Sequence, residues 1–458
     1  MKIVAPCLGT GILILSFFSY GRPQARMQDV GRTDLARNKS QGVPSPDQGV
    51  YAPAPDQIWN RLFRLFYVRQ ARNGLRYGGD ELDPYLWRQT KYVLSNSSHD
   101  EALKLLDEFL QQHSERMIRD PLKHAVFQRD LLAVYEWLSA SPEQGPSELE
   151  LQKRIAEVIR RLALTPDEIG KLPVNYNDAI RAEAFPPRYD PSNAKDPFLP
   201  ADLFDPNGPW VCLGEQHGRP VASDHLESFR GRSVFLVFFQ VPGGRSKTLE
   251  YLGKLRNIPK TWRPNLDGSQ PAGIPSVLAP YPEPPQFPTG TRMALIRQLV
   301  LVNNHGHPTS TYLTESVQIR VYRAIHFDLG GTGAHSQDFS EFALSRQRLF
   351  SEQLGGLRAV AQGDREFMVF HSHEMDPFEM EVDPERWQGI VLRTCSSCHE
   401  AAGIHSFLSY SRERFGPTDV SPPKLIASTP FRETALQIRW IERHGNLAFA
   451  EGVANRIR

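Results

Sequence analysis

The sequence predicts an α+β multidomain chain: an N-terminal helical domain, a β-rich middle domain and a small α-helical C-terminal unit. Three observations carry this. From Gln57 to about Ala184 apolar residues recur at helical spacing, and from Val234 to Phe370 they form short continuous or alternating runs. Past about Asp383, short helical patterns return around Thr394-Cys395-Ser396-Ser397-Cys398-His399-Glu400.

The chain opens with Lys2 before an apolar stretch from Ile3 to Phe18, and Ser19-Tyr20-Gly21 supplies a small-x-small cleavage site. Residues 1–21 therefore read as an export signal. The expected location is periplasmic or secreted in a bacterium, with anchoring if the signal stays uncleaved. Cys7 lies inside the signal, and Pro6 beside it makes it a poor lipoprotein cysteine. Residues 22–56 are polar, rich in Gly, Pro, Gln and Arg, and close on Pro53-Ala54-Pro55, the composition of a flexible linker.

Residues 57–184 form the helical domain. IWNRLFRLFYVRQ begins it, and Ser98-His99-Asp100-Glu101 is a capping box that opens a helix with Leu103, Leu106 and Leu110 on one stripe. PLKHAVFQRDLLAVYEWL follows. A further helix starts at Ser147, with Leu151, Ile155, Val158 and Leu162 on one face, and Thr165-Pro166-Asp167-Glu168 starts a short one. These stripes read as core. His99, His113 and His124 are scattered among them as surface or capping residues.

The β-rich domain spans 185–382. A segment dense in Pro, Asp and Asn leads from Phe185 to Trp210. VFLVFFQV from Val234 reads as a buried strand, while ALIRQLVLV from Ala294, VQIRVYRAI from Val317 and FMVF at Phe367 alternate as half-buried strands do. Asp338-Phe339-Ser340-Glu341 opens a predicted helix to about Val360. A sandwich or barrel is expected. Gly243-Gly244 and Gly330-Gly331 read as turns, since neither precedes a helix in the manner of a phosphate-binding loop.

Composition narrows function by exclusion. The net charge is +1, so no basic field attracts nucleic acid. No stretch after the signal reaches the roughly 20 apolar residues that span a bilayer. The 37 prolines imply many irregular connections.

The most informative element is Cys395-x-x-Cys398-His399. Two thiols about one helical turn apart can add to neighbouring haem vinyls, and the adjacent imidazole can reach the iron. Covalent haem attachment takes place after export, so signal and motif support each other. Beyond the signal the cysteines are Cys212, Cys395 and Cys398, an odd number. Two thioethers and one buried thiol account for them. Rival uses are a Cys3His zinc site of Cys212, Cys395, Cys398 and His399, or a Cys395–Cys398 disulfide.

Residues 383–458 resemble a short c-type cytochrome unit, through the C-x-x-C-H motif, a Gly- and Pro-containing loop from Phe415 to Pro423, and a late helix capped by Thr429-Pro430 and stopping at Gly445. The resemblance implies haem c as cofactor, Cys395 and Cys398 as covalent anchors, His399 as proximal iron ligand, and electron transfer with a redox partner protein. Many such cytochromes take a distal Met from the loop after the motif, but no Met follows Met380. The distal candidates are therefore His371, His373, Met375 and Met380 in the preceding segment, and His444 on the late helix. An open iron is the third possibility, and would suit a haem-dependent oxidoreductase or a sensor. His405 is too near His399 in sequence to reach the opposite face. His371 and His373, two apart after a strand, also form a candidate second metal site; His305 and His307 read as turn residues. A zinc- or disulfide-containing binding module without haem is the remaining alternative.

Overall fold

The computed structural model describes residues 49–80, 83, 92–139, 145–257, 262–264, 278–280, 285–325, 337–361, 364, 368–370, 378, 388–390, 399, 403–407 and 424–444. Residues 47–458 form one compact unit. The expected signal, and the expected linker up to residue 48, lie outside the described residues.

The end of the expected linker is packed. Tyr51 is fully buried, its hydroxyl donates to Asp130 Oδ2 at 2.6 Å, and its ring meets Trp59, Phe63, Phe127 and Phe350. One aromatic ring with a satisfied hydroxyl outweighs the local polar composition.

The helices that follow are α1 (Ile58–Tyr67), α2 (Asn96–Gln111), α3 (Pro121–Ser139), α4 (Pro146–Leu162), α5 (Pro166–Gly170) and α6 (Asn175–Arg181). At α5 the expected capping box is present: Thr165 accepts from the Glu168 N–H, and Glu168 accepts from the Thr165 N–H. At α2 the start differs. The helix opens at Asn96, because the Ser98 hydroxyl is taken up by the Val93 N–H and the Ser95 carbonyl in the preceding turn.

Seven strands, β1 (Val211–Glu215), β2 (Ser233–Gln240), β3 (Arg292–Val302), β4 (Pro308–Tyr322), β5 (Gln337–Leu344), β6 (Leu357–Ala359) and β7 (Leu425–Ser428), form one sheet. Its order is β6-β5-β4-β3-β2-β1-β7, antiparallel throughout. The fold is thus α+β, as expected, but the sheet is a single open layer and not a sandwich or barrel. Helices α7 (Ser223–Ser228), α8 (Gly244–Arg256), α9 (Arg346–Phe350) and α10 (Pro430–His444) complete it. Three short ribbons pair Val68–Gln70 with Arg76–Gly78, Trp262–Pro264 with Leu278–Pro280, and Met368–Phe370 with Gln388–Ile390.

The helix expected from Asp338 is instead strand β5, in register with β4 from Ser316 to Tyr322. The cap-like Asp338 does not cap. It accepts from Tyr189 Oη at 2.5 Å and pairs with Arg323 Nε at 2.7 Å, so pairing along β4 overrides the local helix signal.

The two sheet faces are covered differently. Leu236, Phe238, Ile296, Ile319 and Phe342 join Tyr176 of α6 and Phe198, Leu203 and Trp210 of the Pro-rich segment in one core. On the other face Phe235, Val237, Met293 and Val300 belong to a second core that takes in residues of helices α1 to α4. A buried ion network also ties these layers together: Glu315 of β4 pairs with Arg129 of α3 at 2.6 Å, Arg232 with Glu136 of α3 at 2.7 Å, and Arg297 of β3 with Asp83 at 2.7 Å. Burial alone would raise the Asp83 pKa, but Arg297, Arg232 and Arg129 hold it well below the usual carboxylate range.

The C-terminal residues complete the sheet. Strand β7 pairs with β1, and α10 then runs beside the part of β2 that β1 leaves unpaired. There Gln437 acts as a substitute strand, its Oε1 accepting from the Phe235 N–H at 2.7 Å and its Nε2 donating to the Phe235 carbonyl at 2.6 Å. Helix α10 begins and ends where Thr429-Pro430 and Gly445 predict.

Candidate functional site

On the face carrying Val237, Met293, Leu295, Gln318 and Arg320, a recess opens between the sheet, helix α7 and the segment around Phe407. Val237 pairs with Leu295, Leu295 with Gln318, and Met293 with Arg320, so strand register alone brings these side chains to one side. His225 of α7 and His399 complete its wall. The space left among them is about 60 Å³, room for a few water molecules.

His225 is aimed by how α7 ends. The Gly231 N–H reaches the Leu226 carbonyl and the Arg230 N–H the Glu227 carbonyl, a Schellman ending with Arg230 and Gly231 both at positive φ. A side chain at Gly231 would meet Ile441 of α10 at 3.0 Å, so glycine is needed for space as well as conformation. The chain then enters β2, and Phe235 lies 5.3 Å from the His225 ring.

His399 is held from the turn Gly403–Ser406. Its Nδ1 lies 2.8 Å from the Ser406 backbone carbonyl. A carbonyl only accepts, so Nδ1 carries the proton and Nε2 is the free lone pair. The Ser406 hydroxyl is shared with Tyr322 Oη at 2.5 Å and receives Arg320 Nη1 at 3.3 Å. Gln286 fixes the turn by accepting from the Ile404 N–H at 2.7 Å.

The two imidazole rings lie 6.1 Å apart, with planes 12° from parallel. Burial, reinforced by the Arg320 charge, pushes His399 down to about 3; burial likewise pushes His225 down to about 4. Both rings are neutral at pH 7, the form that ligates a metal. Arg320 is buried, and its described partners are Ser406 Oγ and Met293 Sδ; among the described residues no carboxylate pairs with it.

Of the residues expected to anchor the haem or ligate its iron, His399 alone has a described side chain. Cys395, Cys398, His371, His373, Met375 and Met380 lie outside the described residues, and for His444 only its place as the last residue of α10 is described. Among the described residues, no group of three or more His, Cys, Asp or Glu side chains is placed to hold a metal ion. Cys212 pairs across strands with Phe238 and packs in the core on the opposite sheet face from the recess. Burial pushes its thiol well above the usual range. The Cys3His zinc set that would combine Cys212 with His399 is therefore not assembled. His305 and His307 sit in a turn organised by the Asn303 side chain, as expected.

Sequence reading missed His225 and Arg320. His225 sits in an unremarkable Asp-His-Leu context, and Arg320 reads as the polar position of an alternating strand. Only the register and the α7 turn bring them to His399. Comparison with protein-family models, curated proteins and solved structures finds no match to this chain.

Proposed function

We propose that the chain carries one covalently attached haem c, anchored by Cys395 and Cys398 with His399 as proximal ligand, and that its role is electron transfer. The observation that carries this reading is the His399 ring itself, whose Nδ1–H is fixed on the Ser406 carbonyl, while Nε2 has no partner among the described residues. That outer hydrogen bond sets the tautomer, orients the ring and raises ligand basicity, as metal-ligating histidines require.

The donor chemistry suits the group. Haem would supply reversible one-electron exchange when bound. The protein's part is to keep His399 neutral, to surround it with Val237, Leu295 and Phe407, and to place the Arg320 guanidinium where a haem propionate could supply the missing anion. The recess beside His399 leaves about 60 Å³, less than a macrocycle occupies. Residues after about Asp383 would form the haem-bearing portion, and the N-terminal apolar stretch would take the chain to the compartment where attachment occurs.

The test is a pyridine haemochrome spectrum of the full chain produced with a haem-attachment system and washed with acidified acetone. The expected result is a c-type spectrum at one haem per chain. A colourless chain containing stoichiometric zinc would overturn the reading.

A further inference from the structure

We propose that the recess beside His225 binds one small free carboxylate, of formate to acetate size, on the side chains of Arg320 and Gln318. The proposal is independent of the haem reading above, since it concerns an anion that the chain takes up without haem.

Charge is the first argument. Arg320 is 6% exposed and lines the recess. Its Nη1 donates to Ser406 Oγ at 3.3 Å, its Nη2 reaches Met293 Sδ at 3.5 Å, and the Tyr322 ring centre lies 5.9 Å from the guanidinium carbon. All three neighbours are neutral. A buried guanidinium with no carboxylate partner among the described residues costs free energy that a bound anion would offset. The carboxyls near the recess do not fill that place: Asp224 stands 56% exposed and pairs with Arg219 at 3.9 Å, while Glu341, across from Gln318, is pushed up to about 8 by burial and is neutral at pH 7.

Gln318 supplies the second, independent observation. It stands two residues before Arg320 on β4, which puts both side chains on one sheet face, and it is 7% exposed. It lines the recess, and its side-chain amide has no hydrogen-bond partner among the described residues. An amide so placed offers donors to an oxygen that the fold does not supply. His225 adds one more, because a neutral imidazole carries one N–H and neither of its ring nitrogens has a partner among the described residues.

Size and shape set the class of ligand. The space is about 60 Å³, so a carboxylate with a methyl tail fits and a longer acid does not. The guanidinium fork matches the two oxygens of a carboxylate. Val237, Leu295 and Phe407 wall the rest, which suits a short apolar tail; sulfate or phosphate would set a charged oxygen against them.

The experiment titrates acetate into the full chain made without haem, at constant ionic strength, and reads saturation transfer to the acetate methyl. Wild type should show saturable one-site binding, formate should compete, and butyrate and sulfate should not. Gln318→Leu should weaken acetate roughly tenfold or more, the loss of a hydrogen bond to a charged group. Arg320→Lys, which keeps the charge and loses the fork, should also weaken it. Circular dichroism and thermal melts confirm that each variant is folded, and if Arg320→Lys is not, Gln318→Leu and the acid series decide. Absence of saturable binding, binding that the folded variants keep, or equal binding of sulfate or butyrate would overturn the assignment. Chain matured with haem separates two sources of the carboxylate: acetate that still binds there supports a free acid, whereas binding lost on loading would give the guanidinium to a haem propionate and overturn the proposal.

Discussion

The Ser406 backbone carbonyl accepts the Nδ1–H of His399 at 2.8 Å, so the imidazole is positioned by a main-chain atom seven residues along the chain that no side-chain substitution can remove. The turn itself can be perturbed at Gly403.

Gly403 has φ +53, and a Cβ there would fall 2.0 Å from Gln286 Oε1, the atom that anchors the Ile404 N–H. Gly403→Ala should therefore lower stability by about 1–3 kcal/mol through backbone strain and a lost hydrogen bond. In haem-loaded protein it should also increase carbon monoxide access, because His399 loses its fixed orientation. Denaturant melts and carbon monoxide titration read the two effects. An unchanged melt would contradict the account of the turn.

Gln437→Leu keeps side-chain volume but leaves the Phe235 N–H and carbonyl unpaired in a buried strand. The expected loss is about 2–4 kcal/mol, from two backbone groups. Phe235 supports the His225 ring, so hydrogen exchange should rise in α7 as well as in β2. Exchange confined to α10 would show that this amide is not what holds the edge.

Arg320→Leu removes a buried cation that has no described carboxylate partner. Haem-free chain should be unchanged or more stable, since the desolvation cost of the guanidinium disappears. In haem-loaded protein the midpoint potential should fall by on the order of 60 mV, the one-electron equivalent of a tenfold change, because a nearby positive charge disfavours the ferric state. A redox titration decides. A potential that rises instead would mean that Arg320 does not act on the iron.

Glu341 lies across from Gln318, and burial pushes its carboxyl up to about 8 against the opposing pull of Arg297. The folded state thus holds a proton that the unfolded chain releases at about 4.3. Between these values the folded chain binds one more proton, so stability should fall as pH rises, by up to about 1.4 kcal/mol per pH unit from this group. Glu341→Gln should flatten that slope; an identical pH profile in the variant would assign the slope elsewhere.

Much of the fold was legible because local and tertiary preferences agree. The Thr165 capping box, the strands read from Ala294 and Val317, which fall within β3 and β4, and the late helix to His444 follow directly from their residues. The errors fall where a long-range partner takes a local signal away. Asp338 is claimed by Tyr189 and Arg323, and Tyr51 is drawn from an apparently disordered stretch into an aromatic core. The open sheet was not legible either, since strand order depends on which edge β7 and Gln437 occupy. His399 announced itself through its motif. Its neighbours His225 and Arg320 belong to other elements, and periodicity carries no information about which side chains meet across them.

The central claim is covalent haem on this motif, and intact mass spectrometry of the denatured chain tests it most directly. The chain matured with a haem-attachment system should exceed its polypeptide mass by one haem, and the double variant Cys395→Ala with Cys398→Ala should lose that increment while His225→Ala keeps it. A wild-type chain at bare polypeptide mass, or an increment that survives removal of both cysteines, would contradict it.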